Sequence, residues 1–185
     1  MNIFVVDVDP RIAAISLCDS HVCKQIVESC QMLSTYDRLH MADPEEGVHY
    51  SNGRYKITHV HHPCVKCLSN KYNYMWLQYH LDALLCEYTW RFGGRIHKSS
   101  SLFEDFWKRF DMSYVYDNKL NFKDYWPELI NGTSFPKCMP DEFKVGGDTI
   151  DKVVESYRNY YKHKKQTLKR FRYSARLEPA WLKGD

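Results

Sequence analysis

The chain has 185 residues, 44% of them hydrophobic and 15% aromatic, with a formal net charge of +3 at pH 7. This excludes a disordered chain and predicts one domain, residues 1–185, able to bury a core of its own. The modest charge permits a polyanionic partner without requiring one, and no apolar run approaches the ~20 residues needed to span a bilayer, which excludes a membrane-spanning role.

Seven cysteines make an odd count. The first ten residues end in Asp7-Val8-Asp9-Pro10, which is not a secretory cleavage pattern. The expectation is therefore reduced thiols in a cytoplasmic protein, the host cytoplasm if the chain is viral. Ile3–Val6 is a short β-branched run that suits a buried strand or an extended segment. Asp9-Pro10 matches an N-cap with proline at the first helical position, opening a short helix over Arg11–Leu17. Cys18–Asp37 reads as one long helix with Val22, Ile26, Cys30 and Leu33 as its apolar stripe. A polar stripe of His21, Lys24, Glu28, Gln31 and Thr35 runs along another side. Residues 41–55 carry Pro44, Gly47 and Gly53 and predict a surface loop with a small hairpin near Ser51-Asn52-Gly53.

Pro63 opens the next helical region, and Ser69–Phe92 is the second long helix, stopped by Gly93-Gly94. Its core stripe is Leu77, Leu81, Leu84, Leu85 and Tyr88, and Glu87 with Arg91 suits an i, i+4 ion pair. Ser99–Phe110 is a third helix with Leu102, Phe103 and Phe106 inside. Residues 111–147 alternate aromatic and polar residues among prolines and glycines, an irregular aromatic-rich connection too long for an ordinary loop. Thr149–Lys165 is the last long helix, with Ile150, Val153, Val154, Tyr157 and Tyr161 inward. The fold class is mainly α, a single-domain helical bundle with a short N-terminal strand or extended segment.

Several constellations carry chemistry. His21, Lys24 and Glu28 supply an imidazole, an amine and a carboxylate, the groups of acid–base and carbonyl chemistry, although such a stripe also suits a solvated helix face. Residues 59–67, HVHHPCVKC, place three histidines beside a Cys-x-x-Cys, so His59, His61, Cys64 and Cys67 are candidate zinc ligands. Pro63-Cys64-x-x-Cys67 matches half of the zinc nucleobase-deaminase signature, whose H-x-E half is missing. In the alternative, Cys64 and Cys67 are core thiols at a helix start, with His59 and His62 as capping or anion-contacting groups. Asp7 and Asp9 at i, i+2 suit a divalent metal, against an N-cap role for Asp9. His97 and Lys98 at a helix start, with Arg91, are candidate phosphate contacts. Residues 158–176 hold eight basic residues and no acid, Arg158, Lys162 and Lys165 among them, interleaved with Tyr160, Tyr161 and Phe171. Lysines and arginines hold phosphates while rings stack on bases, and the same residues also suit an ordinary solvated face. There is no Gly-rich phosphate loop, G-x-S-x-G elbow or Rossmann fingerprint, which disfavours the usual nucleotide-triphosphate enzymes.

Asp19-x-His21-Val22 followed by Glu28 resembles the early helix of the phage pyrimidine-dimer DNA glycosylases of endonuclease V type. Lys56-Ile57 and Leu85-Cys86-Glu87-x-x-x-Arg91-Phe92-Gly93 look similar to the approach and end of that family's second long helix. Pro179-Ala180-Trp181-Leu182-Lys183 resembles its aromatic-basic C-terminus. The start MNIFVVDVDP and the blocks THVHHPC, RFGGRIHKS and MPDEF also resemble a group of uncharacterised phage and viral proteins. The first resemblance implies an all-α glycosylase with AP-lyase activity on DNA and no cofactor. In that family the N-terminal α-amine attacks C1′ of the damaged nucleotide to form an imine, and a glutamate promotes β-elimination. Glu28 would take the glutamate's role and His21 a supporting one. The family's nucleophile is a threonine exposed by removal of the initiator methionine. Asn2 stands there in this chain, so the amine falls to Met1 or to Lys24. Two other readings stay open: a zinc-binding, deaminase-like enzyme of nucleotides or nucleic acid, and a non-enzymatic viral protein that binds a nucleotide or host factor. The sequence sets no oligomeric state.

Overall fold

A computed structural model describes residues 1–40, 55–107 and 134–183. Among these the chain is mainly α-helical, with no strand. The helices are α1 (Pro10–Ile15), α2 (Asp19–His40), α3 (Pro63–Lys66), α4 (Lys71–Arg91), α5 (Phe103–Trp107) and α6 (Ile150–Thr167). Short 3-10 turns cover Cys67–Ser69, Lys98–Leu102, Asp141–Phe143 and Ala180–Leu182. The hairpin expected near Ser51-Asn52-Gly53, and residues 108–133 of the expected third helix and connection, lie outside the described residues.

The helix ends follow local chemistry. Asp9 caps α1, its carboxylate accepting from the Arg11 amide at 2.8 Å, with Pro10 in the first turn. Asn70 caps α4 by accepting from the Tyr72 amide at 3.0 Å. The end of α4 is closed by Gly93 and Gly94 at φ 66° and 81°, where a side chain would be strained. The second long helix thus runs Lys71–Arg91 rather than Ser69–Phe92, because Cys67–Ser69 forms its own 3-10 turn before the Asn70 cap.

α4 packs against both α1 and α2, with α2 also against α3. Val22, Ile26, Cys30 and Leu33 of α2, and Leu77, Leu81 and Leu84 of α4, are fully buried, whereas Leu85 and Tyr88 are half-buried at the edge of that stripe. α6 buries Ile150, Val153, Val154, Tyr157 and Tyr161.

Between these helices runs residues 1–9, the segment read as strand or extended chain. It is extended and belongs to no sheet. Ile3, Phe4, Val5, Val6 and Val8 are all buried, so water cannot satisfy its backbone. Helical side chains do so instead. Trp76 Nε1 donates to Val8 O at 2.8 Å and Arg158 Nε to Val6 O at 2.8 Å, and just past the segment His80 Nδ1 bonds the carbonyl of Pro10, the first residue of α1, at 2.9 Å. Two tight turns, Val5 N to Ile3 O at 3.1 Å and Val6 N to Phe4 O at 2.9 Å, close within the segment itself. Phe4 stacks on His21, with ring centroids 4.8 Å apart, and meets Tyr161 edge-on at 5.4 Å.

Two of these contacts are acid-sensitive. Burial lowers the pKa of both His21 and His80 to about 4, with Lys24 and Lys164 adding to the effect on His21. The unfolded chain protonates these rings near pH 6.5 and the folded chain resists, so between those values the unfolded state binds more protons and stability falls as pH falls. The expected loss between pH 6.5 and 4 is on the order of 2–3 kcal/mol per histidine. Urea unfolding across this range should show it, and His80→Gln, which keeps a donor for Pro10 O, should flatten the slope. An unchanged slope in that variant refutes the assignment.

Candidate active site at the N-terminus

α2 carries Glu28 to the place where the buried N-terminal segment begins. Its Oε1 lies 3.6 Å from the Met1 α-nitrogen and 3.6 Å from Lys24 Nζ. Its Oε2 accepts from Gln25 Nε2 at 2.8 Å and from the Asn2 amide at 3.3 Å. The carboxylate is therefore held by four nitrogen groups and is nearly buried, 9% exposed. The Met1 side chain is 2% exposed while the residue as a whole is only half-buried, so the exposure lies on its main chain, where the α-amine is. Gln25 Oε1 is buried with no hydrogen-bond partner among the described residues, a polar atom left at the floor of the site.

The segment's register is pinned by Asn2. Its Nδ2 donates to Cys138 O at 2.9 Å. The Tyr157 hydroxyl lies 2.9 Å from Asn2 Oδ1, 2.7 Å from Pro136 O and 3.3 Å from the Cys138 amide. α6 and the 134–147 segment thus fix the chain one residue beyond the amine. Sequence reasoning missed Asn2, Gln25, Tyr157 and Cys138 as parts of this site. Only the proximity of Gln25 to Glu28 on one helix was a readable signal, since Asn2 meets Glu28, Cys138 and Tyr157 across 26, 136 and 155 residues.

His21 is not beside the carboxylate. Its Nδ1 bonds the Tyr161 hydroxyl at 2.8 Å, which also accepts from the Cys18 amide at 2.8 Å. With its pKa near 4 the ring is neutral at pH 7, and it packs under Phe4. Its role is to hold the N-terminal segment. The polar stripe read along α2 divides accordingly: Lys24 is exposed, Glu28 lines the site, and His21 and Thr35 are buried.

Arg91 is the principal correction among the expected phosphate contacts. Its side chain is fully buried and its donors are committed. Nε donates to Glu87 at 2.8 Å, Nη1 to Leu17 O at 2.6 Å and Asp19 at 3.3 Å, and Nη2 to Ile15 O at 2.9 Å. Arg176 pairs with Glu87 from the tail, and Ser174 donates to Asp19 from its hydroxyl at 2.7 Å. This network ties the tail to α1, α2 and α4. Arg158 is half-committed as well, to Val6 O and to Asp7 at 3.0 Å, with its guanidinium 5.1 Å from the Trp181 ring centroid. Lys165 pairs with Glu178. Lys98 and Lys162 are exposed. His97 Nδ1 accepts the Ser99 amide at 3.1 Å, so it caps the turn itself. Lys162 and Trp181 line a cleft of about 600 Å³ beside α6, and His97 and Lys98 line another of about 620 Å³ with Arg95 and Tyr55.

The expected zinc quartet does not form. His59 and His61 are exposed, with His59 Nδ1 bonded to Thr58 Oγ1 at 2.7 Å, and Cys67 Sγ donates to Cys64 O at 3.3 Å. The group that converges among the described residues is His62, Cys64 and Cys138, whose ligand atoms lie within 4.8 Å of one another. His62 also caps α3, Nδ1 accepting from the Cys64 amide at 3.1 Å. Burial lowers the His62 pKa, with the N-terminal ammonium and His59 adding to it and Glu28 opposing, which puts His62 within electrostatic reach of the amine–carboxylate pair. No helix among the described residues is long and apolar enough to cross a membrane.

Residues 1–99, a little over half of the chain, match the family model described as pyrimidine dimer DNA glycosylase. Searches of curated proteins and of solved structures return no significant match.

Arg91→Met removes one of the guanidinium partners of Glu87 and of Asp19 and the donors to Leu17 O and Ile15 O, and should cost about 3–5 kcal/mol in urea unfolding. A variant of unchanged stability that binds DNA with a shallower salt dependence would return Arg91 to phosphate contact.

Proposed function

The chain belongs to the pyrimidine dimer DNA glycosylase family, and from that premise we propose that it is a DNA glycosylase working through its N-terminal amine and Glu28. The observation carrying this reading is the 3.6 Å approach of the Met1 α-nitrogen to Glu28 Oε1 at a partly exposed N-terminus. An α-amine titrates near 8 and a lysine amine near 10.4, so at neutral pH far more of the α-amine is the free base a nucleophile needs. Lys24 reaches the same oxygen but stands 61% exposed, so Met1 is the preferred nucleophile.

In the proposed reaction the damaged nucleotide is extruded from the duplex. The Met1 nitrogen lone pair bonds to C1′ as the C1′–N glycosidic bond breaks, and that bond's electron pair leaves with the base. Loss of the amine's protons and opening of the sugar give an imine. Removal of a C2′ proton then expels the 3′ phosphate by β-elimination, and water hydrolyses the imine to free the amine. Glu28 stabilises the cationic sugar and moves these protons. Gln25 and the Asn2 amide orient the carboxylate, and Asn2 and Tyr157 hold the amine in register. Lys98 and Lys162 are the proposed phosphate contacts, with Arg158, Lys165, His97 and Trp181 in supporting positions.

Borohydride trapping on dimer-containing DNA should give a covalent adduct that peptide mapping places on Met1, with Lys24→Ala still trapped. No adduct on dimer or abasic DNA, with a control enzyme reacting, removes the amine mechanism. Glu28→Gln should lower turnover by at least about 100-fold with the fold intact by circular dichroism, and full activity in that variant excludes Glu28. Lys162→Ala should weaken DNA binding across sequences and reduce the log–log salt slope by about 1.

A further inference from the structure

Beside the N-terminal segment, Cys64 Sγ and Cys138 Sγ lie 3.5 Å apart. This is far beyond the ~2.05 Å of a disulfide. It is close to the ~3.8 Å edge separating two sulfurs of a tetrahedron whose zinc–sulfur bonds are ~2.3 Å. His62 brings a ring nitrogen within 4.8 Å of both sulfurs. The three residues come from two distant parts of the chain, the start of α3 and the 134–147 segment.

From this geometry we infer that His62, Cys64 and Cys138 form a zinc site. Two thiolates and one imidazole are a soft donor set that suits zinc over magnesium or calcium. Two thiolates neutralise the dication, so the centre brings no net charge beneath a buried apolar segment. Binding releases the two thiol protons to solvent. The neutral imidazole has a single lone-pair nitrogen, so His62 exchanges the hydrogen bond it accepts from the Cys64 amide for the metal. Three protein ligands leave a fourth position for solvent. Cys138 O is the acceptor for Asn2 Nδ2, so fixing Cys138 to α3 fixes the residue that follows the amine. Asn73 Nδ2 donates to Cys67 O at 2.9 Å and to Ser134 O at 3.2 Å, a second tie between the same two segments.

The test uses the full chain, expressed with zinc and purified under reducing conditions without chelator. Elemental analysis should find about one zinc per chain. Cys64→Ser and Cys138→Ser should each lose it, while Cys67→Ser and His61→Ala should retain it. Cobalt(II) added to the stripped wild-type protein should give an intense thiolate-to-metal charge-transfer band and tetrahedral d–d absorption, a readout that needs no variant to fold. Reduced protein that binds neither metal overturns the proposal. So does equal loss of zinc in Cys67→Ser, or a Cys64–Cys138 disulfide in metal-free protein purified without reductant. Metal content is read without substrate, so failure here leaves the glycosylase reading standing, and failure of borohydride trapping leaves this one standing.

Discussion

The structure depends on burying an extended N-terminal segment without a sheet to receive it. An extended chain exposes a donor and an acceptor at each residue, and each one buried unpaired costs about 1–3 kcal/mol. Here the partners come from side chains of every long helix: Glu28 on α2, Trp76 on α4 and Arg158 on α6. The same requirement produces the site. A carboxylate placed to receive the Asn2 amide is also 3.6 Å from the α-amine, so satisfying the backbone and bringing the α-amine to a carboxylate are one arrangement.

A second buried network secures the other end of the chain. Asp19, Glu87 and Arg91 exchange charge-assisted hydrogen bonds in the interior, and the half-buried Ser174 and exposed Arg176 join them from the tail. Such a network is weak evidence for net stability, because desolvation offsets much of the Coulomb gain. Its consequence is geometric. Each group has few ways to be satisfied, so the tail can dock in few positions. Exposed pairs such as Lys144–Asp141 and Lys152–Glu155 have no such constraint and contribute little.

Much of the helical framework was legible in residue spacing. The apolar stripe of α2, the proline start of α1, the Glu87–Arg91 pair and the glycine stop of α4 are local, and the physics that sets them operates within one or two turns. His62 as a helix cap was legible for the same reason. The reading of Arg91 as a phosphate contact failed because local sequence does not say which side of a helix end faces inward. Its acceptors, Ile15 O and Leu17 O, lie more than seventy residues away. Cys138 was missed as the partner of Cys64 because a Cys-x-x-Cys draws attention to its own neighbourhood, whereas the thiol that meets Cys64 arrives from 74 residues downstream.

By itself the sequence determined the long helices, the Asp9 and His62 caps, the long-helix stripes and a family resemblance carried by Asp19, His21 and Glu28, because periodicity and capping are short-range. Only the tertiary structure decided that residues 1–9 are extended yet unpaired in any sheet, that Met1 meets Glu28, that His21 supports Phe4 and not the carboxylate, and that Cys64 faces Cys138. Those outcomes depend on which helix supplies a partner to each buried polar group. That choice is made by packing the whole chain at once, since a donor is satisfied by whatever acceptor the fold brings within about 3 Å, wherever in the sequence it lies.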